Sequence, residues 1–272
     1  MLRFLRRVTE SAYARALSGP QGQRVNTAVL RMALHARGYG YGGRIEATGE
    51  AAFIDRLAAH AGVCVDIGAN RGEYSEALLR KTRATVVAFE PHPETFKALA
   101  PLQARYPGRF VAVNRGVADV AGELELRWGD NSELASFSAE VLSIGYVGAC
   151  NVHRTAVPVT TVDEFFAGEG RRFDGLELTL LKVDTEGFED EVLRGARQTL
   201  ERRRPKFVQI EFNRHQLLRG HTLYSIAKHL ETYRPYQILH GTRGMHAVAA
   251  DDPFSNFFDY ANFVFVRPDV RV

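Results

Sequence analysis

VDIGANRGEYSEALLR, running from Val65 to Arg80, decides how the rest of the chain is read. An apolar run ends in an aspartate, breaks at Gly68, passes Asn70, meets Gly72 and turns helical. Glycine permits positive φ and close backbone approach. A helix N-terminus presents unpaired N–H groups. A buried strand that ends in a carboxylate and two glycines at the mouth of a helix therefore reads as a cradle for a ligand.

Working outward, apolar runs and amphipathic runs alternate. EAAFIDRLAAHAG (Glu50–Gly62) has helical periodicity and closes on glycine, and VCVDIG is a short buried strand. EYSEALLRKT reads as a helix, ATVVAFE as a strand, PETFKALAPLQARY as a helix and FVAVNRGVAD as a third strand with its exit. ELELRW adds a strand, residues 129–156 read as loop, and TVDEFF starts a short helix. LTLLKVD and KFVQIEFN are strands flanking the helix EDEVLRGARQTLERR; TLYSIAKHLETY is a helix, and PYQILH and ANFVFVRP are the last two strands. Such alternation predicts an α/β fold, a doubly wound and mostly parallel sheet of βαβ units, which binds ligands at the carboxyl ends of its strands. Asp66, Glu90, Asp119, Asp184 and Glu211 each fall at or just beyond a predicted strand end, and together they mark one edge of the sheet as a site.

Composition narrows the class. The 272 residues carry a formal charge of +3, too mild for a nucleic-acid signature. Much of the basic excess is local: Arg3, Arg6, Arg7, Arg15, Arg24, Arg31 and Arg37 stand against Glu10 alone before Arg44. Residues 1–49 thus read as a helical, basic N-terminal extension to a domain at 50–272. Leu2, Leu5, Val8 and Ala12 share one helical face, suited to packing on the main domain or a partner subunit such as a second copy, or to contact with an anionic membrane surface. No apolar run is long enough to span a bilayer, and arginines interrupt the first apolar residues where a signal peptide would be continuous. Two cysteines, Cys64 and Cys150, make neither a disulfide framework nor a metal motif, so a cytoplasmic location is expected.

Glu90 lies 24 positions after Asp66, close to the spacing at which an acid accepts hydrogen bonds from an unphosphorylated ribose. The alternative is that Glu90 caps the following helix. The turn Gly68-Ala69-Asn70-Arg71-Gly72 is not the three-glycine dinucleotide fingerprint, and a carboxylate beside it suits an ammonium group better than a pyrophosphate. A ligand with ribose at one end and an amino acid at the other is S-adenosylmethionine (SAM). SAM is therefore favoured over NAD.

The later stretch LLKVDTEGFEDEVLRGA (Leu180–Ala196) makes a resemblance specific. With VDIGANRGEYS, VVAFEPHPETFKAL, NRGVADVAGELEL, VPVTTVDEFF, PKFVQIEFN and NFVFV in the expected order, the chain resembles the FkbM family of SAM-dependent methyltransferases over roughly Val63 to Val266. The resemblance implies a class I methyltransferase sheet of about seven strands with the last antiparallel, and O-methylation, often of sugar hydroxyls or natural products. It implies that Asp66, Gly68, Ala69, Asn70 and Gly72 surround the methionyl part of SAM, that Glu90, followed by Pro91, holds the ribose, and that His92 and Asp119 lie near the adenine. Asp119 is equally readable as a turn residue before Ala121-Gly122. Arg71 departs from the family, which usually has an apolar residue there.

Methyl transfer to oxygen asks for alignment and removal of a proton. Lys182, Asp184, Glu186 and Glu211 are the acceptor-side candidates. Glu189, Asp190 and Glu191 crowd a first helical turn, where acids stabilise the dipole. His215 and His221 are further candidates for a base. Asp184, Glu211 and Asn213 offer hard oxygen ligands that would suit Mg²⁺, although no metal is the favoured expectation. Asn131, Ser132, Ser136 and Tyr146 are expected to shape the acceptor pocket. The expected acceptor is a hydroxyl-bearing small molecule or glycan. A NAD-dependent oxidoreductase or epimerase, or a nucleotide-binding module without turnover, are the competing readings.

Overall fold

The computed structural model describes residues 2–271, and the side chains of residues 10–271. The expected apolar face of Leu2, Leu5 and Val8 thus lies outside the described side chains. Eleven strands form: β1 Val63–Ile67, β2 Thr85–Phe89, β3 Phe110–Val113, β4 Gly116–Val117, β5 Gly122–Trp128, β6 His153–Thr160, β7 Leu178–Val183, β8 Phe207–Phe212, β9 Arg234–Ile238, β10 Met245–Ala247 and β11 Ala261–Val266.

Eight of them build the main sheet, in the order β10-β9-β11-β8-β7-β1-β2-β3. The pairs from β8 across to β3 are parallel, and β11 runs antiparallel between β8 and β9. This is the class I methyltransferase arrangement with its reversed last strand, extended by the short edge strand β10. The order changes direction at β1, so the crevice between β1 and β7 is the topological switch point, where open α/β sheets place their ligands.

The central strands are buried on both faces, which is why β1, β7, β8 and β11 read as nearly continuous apolar runs. One core layer is built on Val65, Ile67, Val87, Phe89, Leu181, Val183, Val208, Ile210 and Phe263. The opposite layer packs Cys64, Val86, Ala88, Leu180 and Val264 under the helices Glu50–Leu57 and Glu73–Lys81.

Three differences from the sequence reading have local causes. The stretch Phe110–Asp119 is divided between two sheets: β3 is the edge strand of the main sheet, and β4 belongs to a second, three-stranded sheet in the order β4-β6-β5. Most of the stretch read as loop is loop and short helix, but its end opens β6, whose alternating exposure pairs it antiparallel with β5. The helix expected at Glu189–Arg203 breaks at Gly195-Ala196, because a Cβ at Gly195 would lie 2.1 Å from the Ala118 carbonyl oxygen.

The N-terminal region forms the helices Leu2–Leu17 and Gln23–Ala36, separated at Gly19-Pro20. The second buries none of its residues. From Gly38 onward the chain is part of the main body. Tyr39 is fully buried against Phe257 and Phe263, and the Gly40 N–H donates to the Tyr260 carbonyl. The packed unit therefore begins about ten residues before the boundary read from sequence at 49/50. No helix among the described residues is long and apolar enough to cross a membrane.

Candidate active site

A cavity of about 450 Å³ opens at the carboxyl ends of β1, β2, β7 and β8, roofed by the small sheet and the loop after β5. Its floor is the turn after β1. The N–H groups of Gly68 and Ala69 donate to the Phe89 carbonyl, and the Asp184 N–H donates to the Ile67 carbonyl, so three strand tips are tied together. Asn70 sits in the left-handed region at φ 47°, and its N–H donates to Glu90 Oε2 at 2.9 Å. The other Glu90 oxygen accepts from the His92 N–H at 2.9 Å. Burial pushes the Glu90 carboxyl up to about 7, against the pull of these two N–H donors. Gly68, Ala69, Asn70, Glu90 and Pro91 all line the cavity.

The remaining residues expected around the cofactor sit elsewhere. Asp66 is fully buried behind the turn; it accepts from Ser75 Oγ at 2.7 Å and lies 3.4 Å from Lys182 Nζ. It anchors the strand end to the next helix. Gly72 opens that helix at φ 84°, and a Cβ there would meet Leu102 and Leu99 within 2.8 Å. His92 caps the helix Pro93–Lys97, with Nδ1 2.9 Å from Thr95 Oγ1 and its ring against Trp128. Asp119 is ion-paired to Arg194 at 3.1 Å. None of these four lines the cavity. Apolar Phe89, Val117 and Leu126 also line the cavity.

The opposite wall is acidic. Asp184, Glu186 and Glu211 present carboxylate oxygens within 4.8 Å of one another. Lys182 lies 3.0 Å from Asp184 and is buried; burial alone would lower its affinity for a proton, but Asp184, Asp66 and Glu50 outweigh it and hold the ammonium firmly charged. Lys182 is thus an anchor for Asp184 and not a base. Glu186 is left-handed at φ 53°, and its carboxylate lies 2.8 Å from His215 Nδ1. Burial pushes the Glu186 carboxyl up to about 7, while His215 pulls it down. Burial, and then the charges of Asp184 and Glu186, raise Glu211 well above the carboxylate range. Glu211 accepts from Asn213 at 3.1 Å and from the Tyr260 hydroxyl.

The turn that carries this wall is held from below. Glu189, expected to serve the helix dipole, is buried and accepts from the Thr185 N–H, the Thr185 hydroxyl, the Gly187 N–H and Gln216 Nε2. Ser136 donates to the Glu186 carbonyl at 2.8 Å. Asp190 is engaged with His229 and lies 3.8 Å from His221, outside the cavity. Ser132 donates to the Asn70 side chain at 2.9 Å, which ties the roof loop to the floor. Asn131 and Ser132 line the cavity, as a pocket-shaping role requires; Tyr146 is exposed beside Arg214.

The sequence reading did not single out Tyr260, or Glu50 as a site residue. Glu50 accepts from Thr48 at 2.8 Å and from Gln209 at 2.6 Å, and both Glu50 and Tyr260 line the cavity. An acid opening an amphipathic helix and an aromatic before the last strand look ordinary in sequence; their meeting is made by the antiparallel β11. Asn213 is held within this cluster by its own hydrogen bonds. Its carboxamide is committed to Glu211 and to the His215 N–H, and it caps the helix Arg214–Arg219.

Residues 66–234 match the methyltransferase FkbM domain, more than half of the chain. The chain belongs to the FkbM-domain methyltransferases. Among relatives, it is 28% identical over 138 residues to the hexuronic acid methyltransferase AglP of Haloferax volcanii. That match spans half of this chain and half of AglP. Among solved structures, the O-methyltransferase from Bacillus cereus in complex with SAH is similar at 12% identity and a TM-score of 0.43, covering 89% of this chain and 90% of that one. TrmK of M. capricolum, bound to S-adenosylhomocysteine (SAH), is similar at 10% identity and a TM-score of 0.41, covering 80% and 68%.

Proposed function

We propose that this FkbM-domain methyltransferase uses SAM to methylate a hydroxyl oxygen of a sugar, glycan or natural product. The observation that carries the reading is the charge of the cavity. Glu50, Glu73, Glu90, Asp130, Glu133, Asp184, Glu186 and Glu211 line it against Arg71, Arg115 and Lys182. SAM brings a sulfonium and an ammonium against one carboxylate and is a net cation. NAD would bring a pyrophosphate to the same acids, and like charges in a partly desolvated site repel. Glu90, fixed by the Asn70 and His92 N–H groups, is the acceptor for the ribose hydroxyls. The apolar lining at Phe89, Val117 and Leu126 suits the adenine.

When bound, the cofactor supplies an electrophilic methyl group. The protein's part is to hold the acceptor hydroxyl between Asp184, Glu186 and Glu211 and to take its proton. The likeness to AglP, a hexuronic acid methyltransferase, supports a sugar-type acceptor.

Calorimetry tests the cofactor: SAM and SAH are expected to bind and NAD to give no heat. Binding of NAD alone would return the chain to the oxidoreductase reading. Release of SAH with a panel of hydroxyl-bearing acceptors, absent with the matching deoxy compounds, separates an O-methyltransferase from a binding module. Glu90→Ala is expected to weaken SAM binding by roughly 1–3 kcal/mol through the loss of a charged acceptor. Unchanged affinity would remove Glu90 from the ribose site.

Each carboxylate of the Asp184–Glu186–Glu211 group already faces a protein donor: Lys182, His215, and Asn213 with Tyr260. The Lys182 ammonium, 3.0 Å from Asp184, already supplies that carboxylate with a positive charge. Turnover is therefore expected to persist in EDTA. Stimulation by Mg²⁺ that disappears in Asp184→Asn and Glu211→Gln would reverse this.

A further inference from the structure

Three cationic side chains line the cavity, and they are not equivalent. Lys182 is committed to Asp184 and Asp66. Arg115 is paired with Glu169 at 2.5 Å. Arg71 has no acid within ion-pairing distance and no hydrogen-bond partner among the described residues, although it stands in a cavity rich in carboxylates.

We propose that Arg71 is the cofactor-binding residue that receives the α-carboxylate of the methionyl tail, a proposal that rests on the SAM reading above. The argument is one of charge placement. A zwitterionic amino-acid tail in this cavity must put its carboxylate somewhere other than against Glu50, Asp184, Glu186 or Glu211. Arg71 is the cation with its charge unspent. It directly follows Asn70, whose N–H is fixed to the carboxylate assigned to the ribose, so the turn that carries Arg71 is tied to Glu90. A guanidinium meets a carboxylate with two parallel N–H donors and fixes orientation as well as charge. Arg71 is exposed, so its replacement leaves the buried core untouched.

The experiment compares two probes on three proteins by calorimetry: SAH, which carries the amino-acid tail, and 5′-methylthioadenosine, which keeps adenine, ribose and thioether but lacks it. Arg71→Met is expected to bind SAH about tenfold more weakly than the native chain, the lower end for a lost charge-assisted hydrogen bond in a partly exposed setting. Its affinity for 5′-methylthioadenosine is expected to be unchanged, and Arg71→Lys should recover part of the loss. Equal losses for both probes would show that Arg71 acts through the shape of the turn and would overturn the proposal. So would an Arg71→Met protein that binds SAH as the native chain does. A native chain that binds neither probe would overturn the cofactor reading itself, an outcome distinguishable from the other two.

Discussion

Gly68→Ala is expected to disrupt the folded sheet before it ever affects a ligand. Gly68 has φ 81°, where an L side chain costs about 1–2 kcal/mol by itself. A Cβ built there would lie 1.7 Å from the Asp184 carbonyl oxygen, which is backbone at the tip of β7 and cannot rotate aside. The tips of β1 and β7 would have to part, breaking the bond from the Asp184 N–H to the Ile67 carbonyl and lifting Asp184 away from Lys182. The expected loss exceeds about 4 kcal/mol, in the range reserved for overpacking joined to backbone strain. Denaturant unfolding measures it. Gly108→Ala is the control, because Gly108 has φ 75° but nothing within 4 Å of its Cβ position; only the strain should appear there. Two variants of equal stability would mean that the strand tips do not pack as described.

Gly68 lines the cavity, and the direction in which its Cβ would point is taken by the neighbouring strand. The strands themselves were legible, because β1, β7, β8 and β11 are buried on both faces and must be apolar nearly throughout. β6 and β10 were not, since each has an exposed face and Pro158 breaks the pattern of β6. The acids at the strand tips were legible as a group but not one by one. Asp66, Glu90, Asp119 and Asp184 occupy similar places in sequence, yet only Glu90 and Asp184 line the cavity. What separates them is a partner far along the chain: Lys182 for Asp66 and Arg194 for Asp119. Spacing does not carry such pairings, and the same holds for Glu50 meeting Gln209 and for Tyr260 meeting Glu211.

Glu186→Gln is expected to lower turnover by roughly 10²-fold or more while SAM affinity stays within a fewfold, the signature of a lost general base. Asp184 is the candidate that follows directly on the strand β7. In the fold its charge is matched by Lys182 at 3.0 Å, which suits orienting a hydroxyl. Glu186 differs in two ways. Its backbone is held left-handed at φ 53°, between a pinned Thr185 and Gly187, a strained placement that the surroundings over-determine. Its carboxyl is pushed by burial up to about 7, where a group is neutral often enough to release a proton and ionised often enough to accept one. The sign of the pH dependence follows. A base must be ionised to act, so kcat/KM for the acceptor should rise with pH up to about 7 and then level off. Glu186→Gln should remove that limb. His215 pulls the Glu186 carboxyl down, so His215→Gln should move the limb to higher pH without abolishing it. Rates with a panel acceptor across pH, paired with calorimetry for SAM, check Glu186→Gln and His215→Gln, with Asp184→Asn beside them. If Glu186→Gln keeps both its turnover and its acid limb, while Asp184→Asn loses them, the base is Asp184 and the strain at Glu186 serves only to turn the chain into the next helix.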